Sequence, residues 1–176
     1  MRRSFWVLAL LGIFGFALPA RAQDETPKAE LYGGYDYLQV NDRGTGYSFN
    51  GGTGQFAYNA SEWLGIVGDL GGYYTGNGFH AGLFTYLFGP RINFRGHGKW
   101  TPFAQVLVGG GRSIDSAPLN AFAMTAGGGV EVKISEHFSI RPVQAEYCLT
   151  KFADGVTNRQ NNFRYSAGIV FRFGKR

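Results

Sequence analysis

Beyond its first 22 residues the chain holds no uninterrupted apolar run approaching roughly 18 residues, which excludes helical membrane spans from the mature protein. Cysteine is almost missing. Cys148 stands alone, so there is no intramolecular disulfide and no cysteine-based zinc site, and its residue type suits a small semi-apolar wall position. It also lies far from the N-terminus, which argues against lipid attachment there. The three histidines, His80, His97 and His137, are too widely spaced for a compact metal site. A phosphate loop is excluded too: Gly109-Gly110-Gly111 and Gly127-Gly128-Gly129 neither open a G-x-G-x-x-G frame before a helix nor precede a Lys-Ser/Thr pair.

A basic excess is largely lacking once the leader is recognised. Arg2 and Arg3 precede the apolar run Phe5–Leu18, and Ala20-Arg21-Ala22 supplies a small-x-small cleavage pattern. This reads as a secretory signal peptide over residues 1–22, cleaved after Ala22, because the run is shorter than the roughly 20 residues of a spanning helix. Removing Arg2, Arg3 and Arg21 leaves 14 basic residues of the original 17 against 12 acidic ones, so no nucleic-acid partner is expected. The remainder suits one domain, with a short N-terminal segment over 23–28 and the folded unit over 29–174.

What is present is aromatic residues, at 16% of the chain, 28 glycines, and a period of two. Eight alternating segments are predicted as strands: about 29–39, 49–58, 63–74, 81–95, 101–111, 120–133, 138–151 and 162–173. Connectors Asn59–Glu62, Gly96–Lys99 and Ile134–His137 are tight. Val40–Ser48, Arg112–Leu119 and Phe152–Asn161 are longer, and Thr75–His80 is intermediate. That alternation predicts an all-β, eight-stranded antiparallel up-and-down transmembrane β-barrel, with short periplasmic turns and longer external loops. Glycine weakens ordinary strands, yet a narrow closed barrel crowds its side chains and glycine relieves the crowding.

The phase of the charges decides which face meets lipid. In the last segment Phe163, Tyr165, Ala167, Ile169, Phe171 and Phe173 alternate with Asn162, Arg164, Ser166, Gly168, Val170 and Arg172. In the fourth, Phe84, Tyr86, Phe88, Pro90, Ile92 and Phe94 oppose Thr85, Leu87, Gly89, Arg91, Asn93 and Arg95. An Arg or Lys at the lipid midplane costs roughly 2–4 kcal/mol, so the charged faces are expected to line the lumen and the aromatic faces to meet hydrocarbon. Arg141 and Glu146 have opposite parity in the seventh segment; a bulge near Pro142-Val143 would bring both inside. Tyr37, Tyr58, Trp63, Tyr73, Tyr74, Trp100 and Tyr147 are expected at the headgroup belts.

Buried cations require partners. Glu30, Asp36, Asp69, Glu131 and Glu146 are set against Arg91, Arg95, Lys133, Arg141, Arg164 and Arg172, which predicts a lumen plugged by ion pairs, with a narrow gated ion pathway as the functional alternative.

On these residues the chain resembles the small OmpA-like outer-membrane β-barrels of bacteria, over nearly all of its mature length. The most specific part is the end. Ser166, Gly168, Phe171 and Phe173 look like the family's insertion signal, which implies recognition by the barrel-assembly machinery; Gly174-Lys175-Arg176 then departs from the usual aromatic terminus. The resemblance implies outer-membrane lipid as the surroundings, a monomer, no cofactor, and both chain ends in the periplasm. Some members carry a further peptidoglycan-binding domain, and none is expected after Arg176. Asn41, Asp42, Arg43, Asp115, Asp154, Thr157, Asn158, Arg159 and Gln160 then fall in outward connectors, as loop-tip solvation or as external contacts. An outer-leaflet lipid-modifying enzyme is the alternative, but no Ser-His-Asp set converges, and Ser61 and Ser135 read as turn formers.

Overall fold

The computed structural model describes residues 26–42, 45–74, 82–96, 98–114, 120–152 and 159–175. Eight strands follow one another: β1 (Pro27–Asp42), β2 (Thr45–Asn59), β3 (Leu64–Tyr74), β4 (Gly82–Asn93), β5 (Trp100–Ile114), β6 (Asn120–Lys133), β7 (Phe138–Phe152) and β8 (Arg159–Lys175). Each pairs antiparallel with the next, and β8 closes on β1. The predicted barrel is therefore found, with boundary differences at several strands: β5 runs on to Ile114 and β8 begins at Arg159, so parts of the expected connectors Arg112–Leu119 and Phe152–Asn161 are strand. β1 begins at Pro27, inside the segment assigned to the N-terminal stub. Its ladder with β2 runs to Asp42–Thr45, so most of the expected long connector Val40–Ser48 is paired strand.

One rim, the turn end, carries residues 60–63, 94–96, 98–99 and 134–137 together with Pro27 and Lys175, which pair across β1 and β8. The opposite rim is the loop end. At the turn end Ser61 Oγ accepts the Leu64 amide at 3.0 Å, and the amides of Ile134 and Ser135 both donate to the Phe138 carbonyl. Both serines thus act in tight turns, as their residue type suggests.

Side chains sort by parity. Arg91, Arg141 and Arg164 retain at most 2% of their exposure, whereas Phe88, on the same strand as Arg91, is 59% exposed. Leu31, Phe56, Leu70, Phe84, Phe122, Phe171 and Phe173 likewise face outward. An arrangement that exposes bulky apolar groups and hides guanidinium groups is unfavourable in water and favourable in hydrocarbon. The β7 irregularity falls at Pro142-Val143. Arg141 pairs with Gly168 and Gln144 with Ser166, so three steps on β7 match two on β8, and Arg141 and Glu146 both turn inward.

Tyr37, Tyr58, Trp63, Tyr74 and Trp100 are exposed near the strand ends, where amphipathic rings suit a headgroup zone. Tyr147 is half-buried and meets Phe163 edge-on at 5.6 Å. Tyr73 corrects the belt expectation: it shares the parity of Asp69, points into the lumen, and is 4% exposed.

Candidate functional site

Among the described residues buried polar chemistry concentrates in the lumen, and it divides by height. In the loop half, Arg164 is the hub. Its Nε donates to Glu146 Oε2 at 2.7 Å, its Nη2 to Asp69 Oδ2 at 3.0 Å, and its Nη1 to the Tyr73 hydroxyl at 3.0 Å. Tyr73 in turn donates to Asp36 Oδ2 at 2.9 Å, and Thr53 donates to the same oxygen. One guanidinium, one phenol and one hydroxyl therefore hold three buried carboxylates.

In the turn half, Arg141 Nη2 reaches Glu131 at 2.6 Å, while Arg91 Nη1 lies 3.5 Å from both Glu131 and Glu30. Arg95 donates to Glu30 at 2.9 Å and to the Glu62 carbonyl at 3.0 Å. Lys133 and Arg172 line the mouth at the turn end beside Arg95 and Glu131. All ten residues expected in the lumen network thus face the interior, in two groups and not one.

Two glutamines join the groups. Gln55 Oε1 accepts from Arg91 at 2.8 Å and from Arg141 at 2.7 Å, while its amide nitrogen donates to Asp69 at 2.8 Å. Gln105 repeats the device, accepting from Arg91 at 3.0 Å and donating to Glu146 at 2.8 Å. An amide suits this position because it offers an acceptor to a cation and a donor to an anion without adding charge.

Aromatic rings extend the turn-half network. The Arg141 guanidinium lies 4.0 Å from the Tyr32 ring centre and 4.6 Å from that of Phe103, whose ring also receives Arg91 at 4.5 Å. Such contacts strengthen on desolvation. Glycine makes them fit: a Cβ on Gly34 would stand 1.9 Å from the Tyr32 hydroxyl, and one on Gly168 would meet the Gly33 carbonyl at 2.2 Å and the Tyr32 ring at 2.8 Å. Of the four insertion-signal residues, Ser166 and Gly168 face inward, whereas Phe171 and Phe173 face out, Phe171 meeting Phe138 edge-on at 5.5 Å.

The expectation of a polar lumen needs one correction. Leu38, Val40, Tyr73 and Cys148 form a buried cluster near the loop end, backed by Phe49 and Leu83, and Val67, Leu87, Leu107 and Ala123 form another on the β3–β6 wall. Hydrophobic residues thus occupy inward positions beside the ionic groups, and Tyr73 belongs to both, its hydroxyl meeting Arg164 and Asp36. Cys148 is accordingly a buried free thiol. Among the described residues no group of histidine, cysteine and carboxylate side chains could hold a metal. His137 sits exposed in the last turn, and His80 and His97 lie outside the described residues. So do Arg43, Asp115, Asp154, Thr157 and Asn158; Asn41, Asp42, Arg159 and Gln160 belong to strand ends whose side chains are not described.

A closed eight-stranded sheet, apolar outside and packed with side chains inside, defines a small transmembrane β-barrel. Solved structures similar to it include outer-membrane barrels. Neisserial surface protein A superposes with a TM-score of 0.73 over 83% of this chain and 97% of its own, at 10% identity. The attachment invasion locus protein Ail of Yersinia pestis gives 0.60, covering 84% and 99%, at 15% identity. OprG of Pseudomonas aeruginosa gives 0.59, covering 85% and 97%, at 10% identity. No family model matches the chain, and no curated protein matches it.

Proposed function

We propose that the protein is a structural, non-conducting barrel of the bacterial outer membrane, exported by its leader and inserted as a monomer. The carrying observation is the filled cross-section: Arg91, Arg141 and Arg164 are held among carboxylates, amides and rings, with an apolar layer toward the loop end. An ion crossing the barrel would have to displace charge pairs whose separation in a low dielectric is costly, and then pass hydrocarbon side chains. Insertion by the barrel-assembly machinery fits the outward Phe171 and Phe173 at the end of β8. With the turn end in the periplasm, the loop-end rim would face outward. Surface contact is a second reading, supported by the exposed, outward Arg112 and Lys151 near that rim. Catalysis gains no support from the lumen, where each carboxylate is already engaged by a cation or a hydroxyl donor.

The test is conductance across planar bilayers, on protein whose fold is verified by a heat-dependent gel shift and a β-type circular dichroism spectrum. The expected outcome is a folded barrel without discrete channels. Regular single-channel steps from the folded fraction would overturn the non-conducting reading.

A further inference from the structure

Three buried polar atoms on the β1–β8 side of the lumen find no hydrogen-bond partner among the described residues: the Tyr32 hydroxyl, Asp36 Oδ1 and Ser166 Oγ. Their residues retain 2%, 0% and 5% of their exposure. The three stand together. Asp36 and Ser166 face each other across the β1–β8 ladder, and Gly34 pairs with Gly168 in the next inward row. Tyr32 lies one row further toward the turn end, its ring laid across both glycines: a Cβ on Gly168 would stand 2.8 Å from the ring, and one on Gly34 1.9 Å from the hydroxyl. That hydroxyl is therefore carried up to the row beneath Asp36 and Ser166. The other Asp36 oxygen is occupied, by the hydroxyl of Tyr73 at 2.9 Å and by that of Thr53.

We infer that this seam is a binding site for one water molecule that links the two halves of the lumen. Neighbouring strands lie about 4.8 Å apart, and successive inward positions on one strand roughly 6.8 Å, twice the rise per residue. Polar atoms that occupy adjoining positions without meeting directly are at the separation one water spans, since it reaches about 2.8 Å to each partner. The chemistry fits as well. Each hydroxyl can donate or accept, the carboxylate oxygen only accepts, and a buried water both donates and accepts. A bare cation is disfavoured, because Arg164 already lies 4.0 Å from Asp36 Oδ2 and the Arg141 guanidinium 4.0 Å from the Tyr32 ring centre. The bridge runs from Arg141 through the Tyr32 ring and hydroxyl to Asp36, and so joins the turn half to the loop half alongside the Gln55 and Gln105 links.

The full chain, refolded in neutral detergent, is unfolded in urea as wild type, Tyr32→Phe, Ser166→Ala and the double variant, with a heat-shift gel verifying that each folds. Tyr32→Phe keeps the ring against Arg141 and takes away only the hydroxyl. Each single variant is expected to lower the folded-to-unfolded ratio about five- to tenfold, the loss of one hydrogen bond. The double variant should lose less than the product of the two, because both hydroxyls hold the same water. By NMR, a water cross-relaxation peak at backbone amides of residues 34–36 or 166–168 is expected in the wild type and not in either single variant. Removing a buried hydroxyl that binds nothing is neutral or stabilising, so an unchanged or raised ratio in Tyr32→Phe and Ser166→Ala would overturn the proposal. Losses that multiply in full, or a wild type without the water peak, would do the same. So would a wild-type unfolding midpoint that rises with sodium chloride over choline chloride at equal ionic strength, a gain lost in Ser166→Ala, which would assign a cation to the seam.

Discussion

In the loop half of the lumen one guanidinium, Arg164, serves Asp36, Asp69 and Glu146, whereas in the turn half three guanidiniums, Arg91, Arg95 and Arg141, share Glu30 and Glu131. The same residue types therefore carry different weight according to the local ratio of charge. Where a cation is scarce, its removal leaves several buried carboxylates facing one another. Where cations are in excess, removing one leaves each carboxylate with a remaining partner and relieves repulsion. Burial alone does not distinguish these cases, since Arg91 and Arg164 are equally hidden.

The largest effect should come from Arg164→Met. Loss of the hub from a buried network is expected to destabilise the barrel by about 3–5 kcal/mol or to prevent refolding, read from urea unfolding in micelles. Arg91→Met is the matched comparison. Glu30 keeps Arg95 at 2.9 Å and Glu131 keeps Arg141 at 2.6 Å, so a loss of only about 1 kcal/mol is expected. Equal losses for the two variants would break the distinction between the halves.

Gly34→Ala probes the turn-half stack from its side. The new methyl meets the Tyr32 hydroxyl, and overpacking of this kind costs about 1–3 kcal/mol. Recovery of stability in the Gly34→Ala, Tyr32→Leu double variant would show that the ring is what the methyl displaces; no recovery would assign the loss to the Ala167 carbonyl, 2.7 Å from the same methyl. The smallest effect on stability is expected at Cys148. Its thiol lies in the apolar cluster of the loop half and should resist maleimide in the folded protein while reacting promptly in urea. Prompt labelling of the folded barrel would mean that the loop half is open to water.

The eight strands and the facing of their charges were legible because a period of two and the lipid penalty on cations reinforce each other. Even the β7 bulge followed from two residues, since Arg141 and Glu146 could not both enter the lumen without it. Tyr73 was legible but overlooked, as it stands four places beyond Asp69 on the same face. Other features left little trace. Gln55 and Gln105 carry no charge to betray their phase, and Phe103 differs from the lipid-facing phenylalanines only in parity. The division into halves was hidden for a geometric reason. Alternation tells which face a residue occupies, whereas partnership across the diameter depends on strand stagger, which brings Arg164 to Asp69 across 95 positions of sequence.

The stack of Tyr32, Arg141, Phe103 and Arg91 draws its members from β1, β7, β5 and β4. It therefore acts as a cross-brace spanning the cylinder. A hollow tube of this girth could flatten toward an ellipse under lateral pressure from its surroundings. This one resists such breathing at the height of the brace, and its compliance should be confined to the rims.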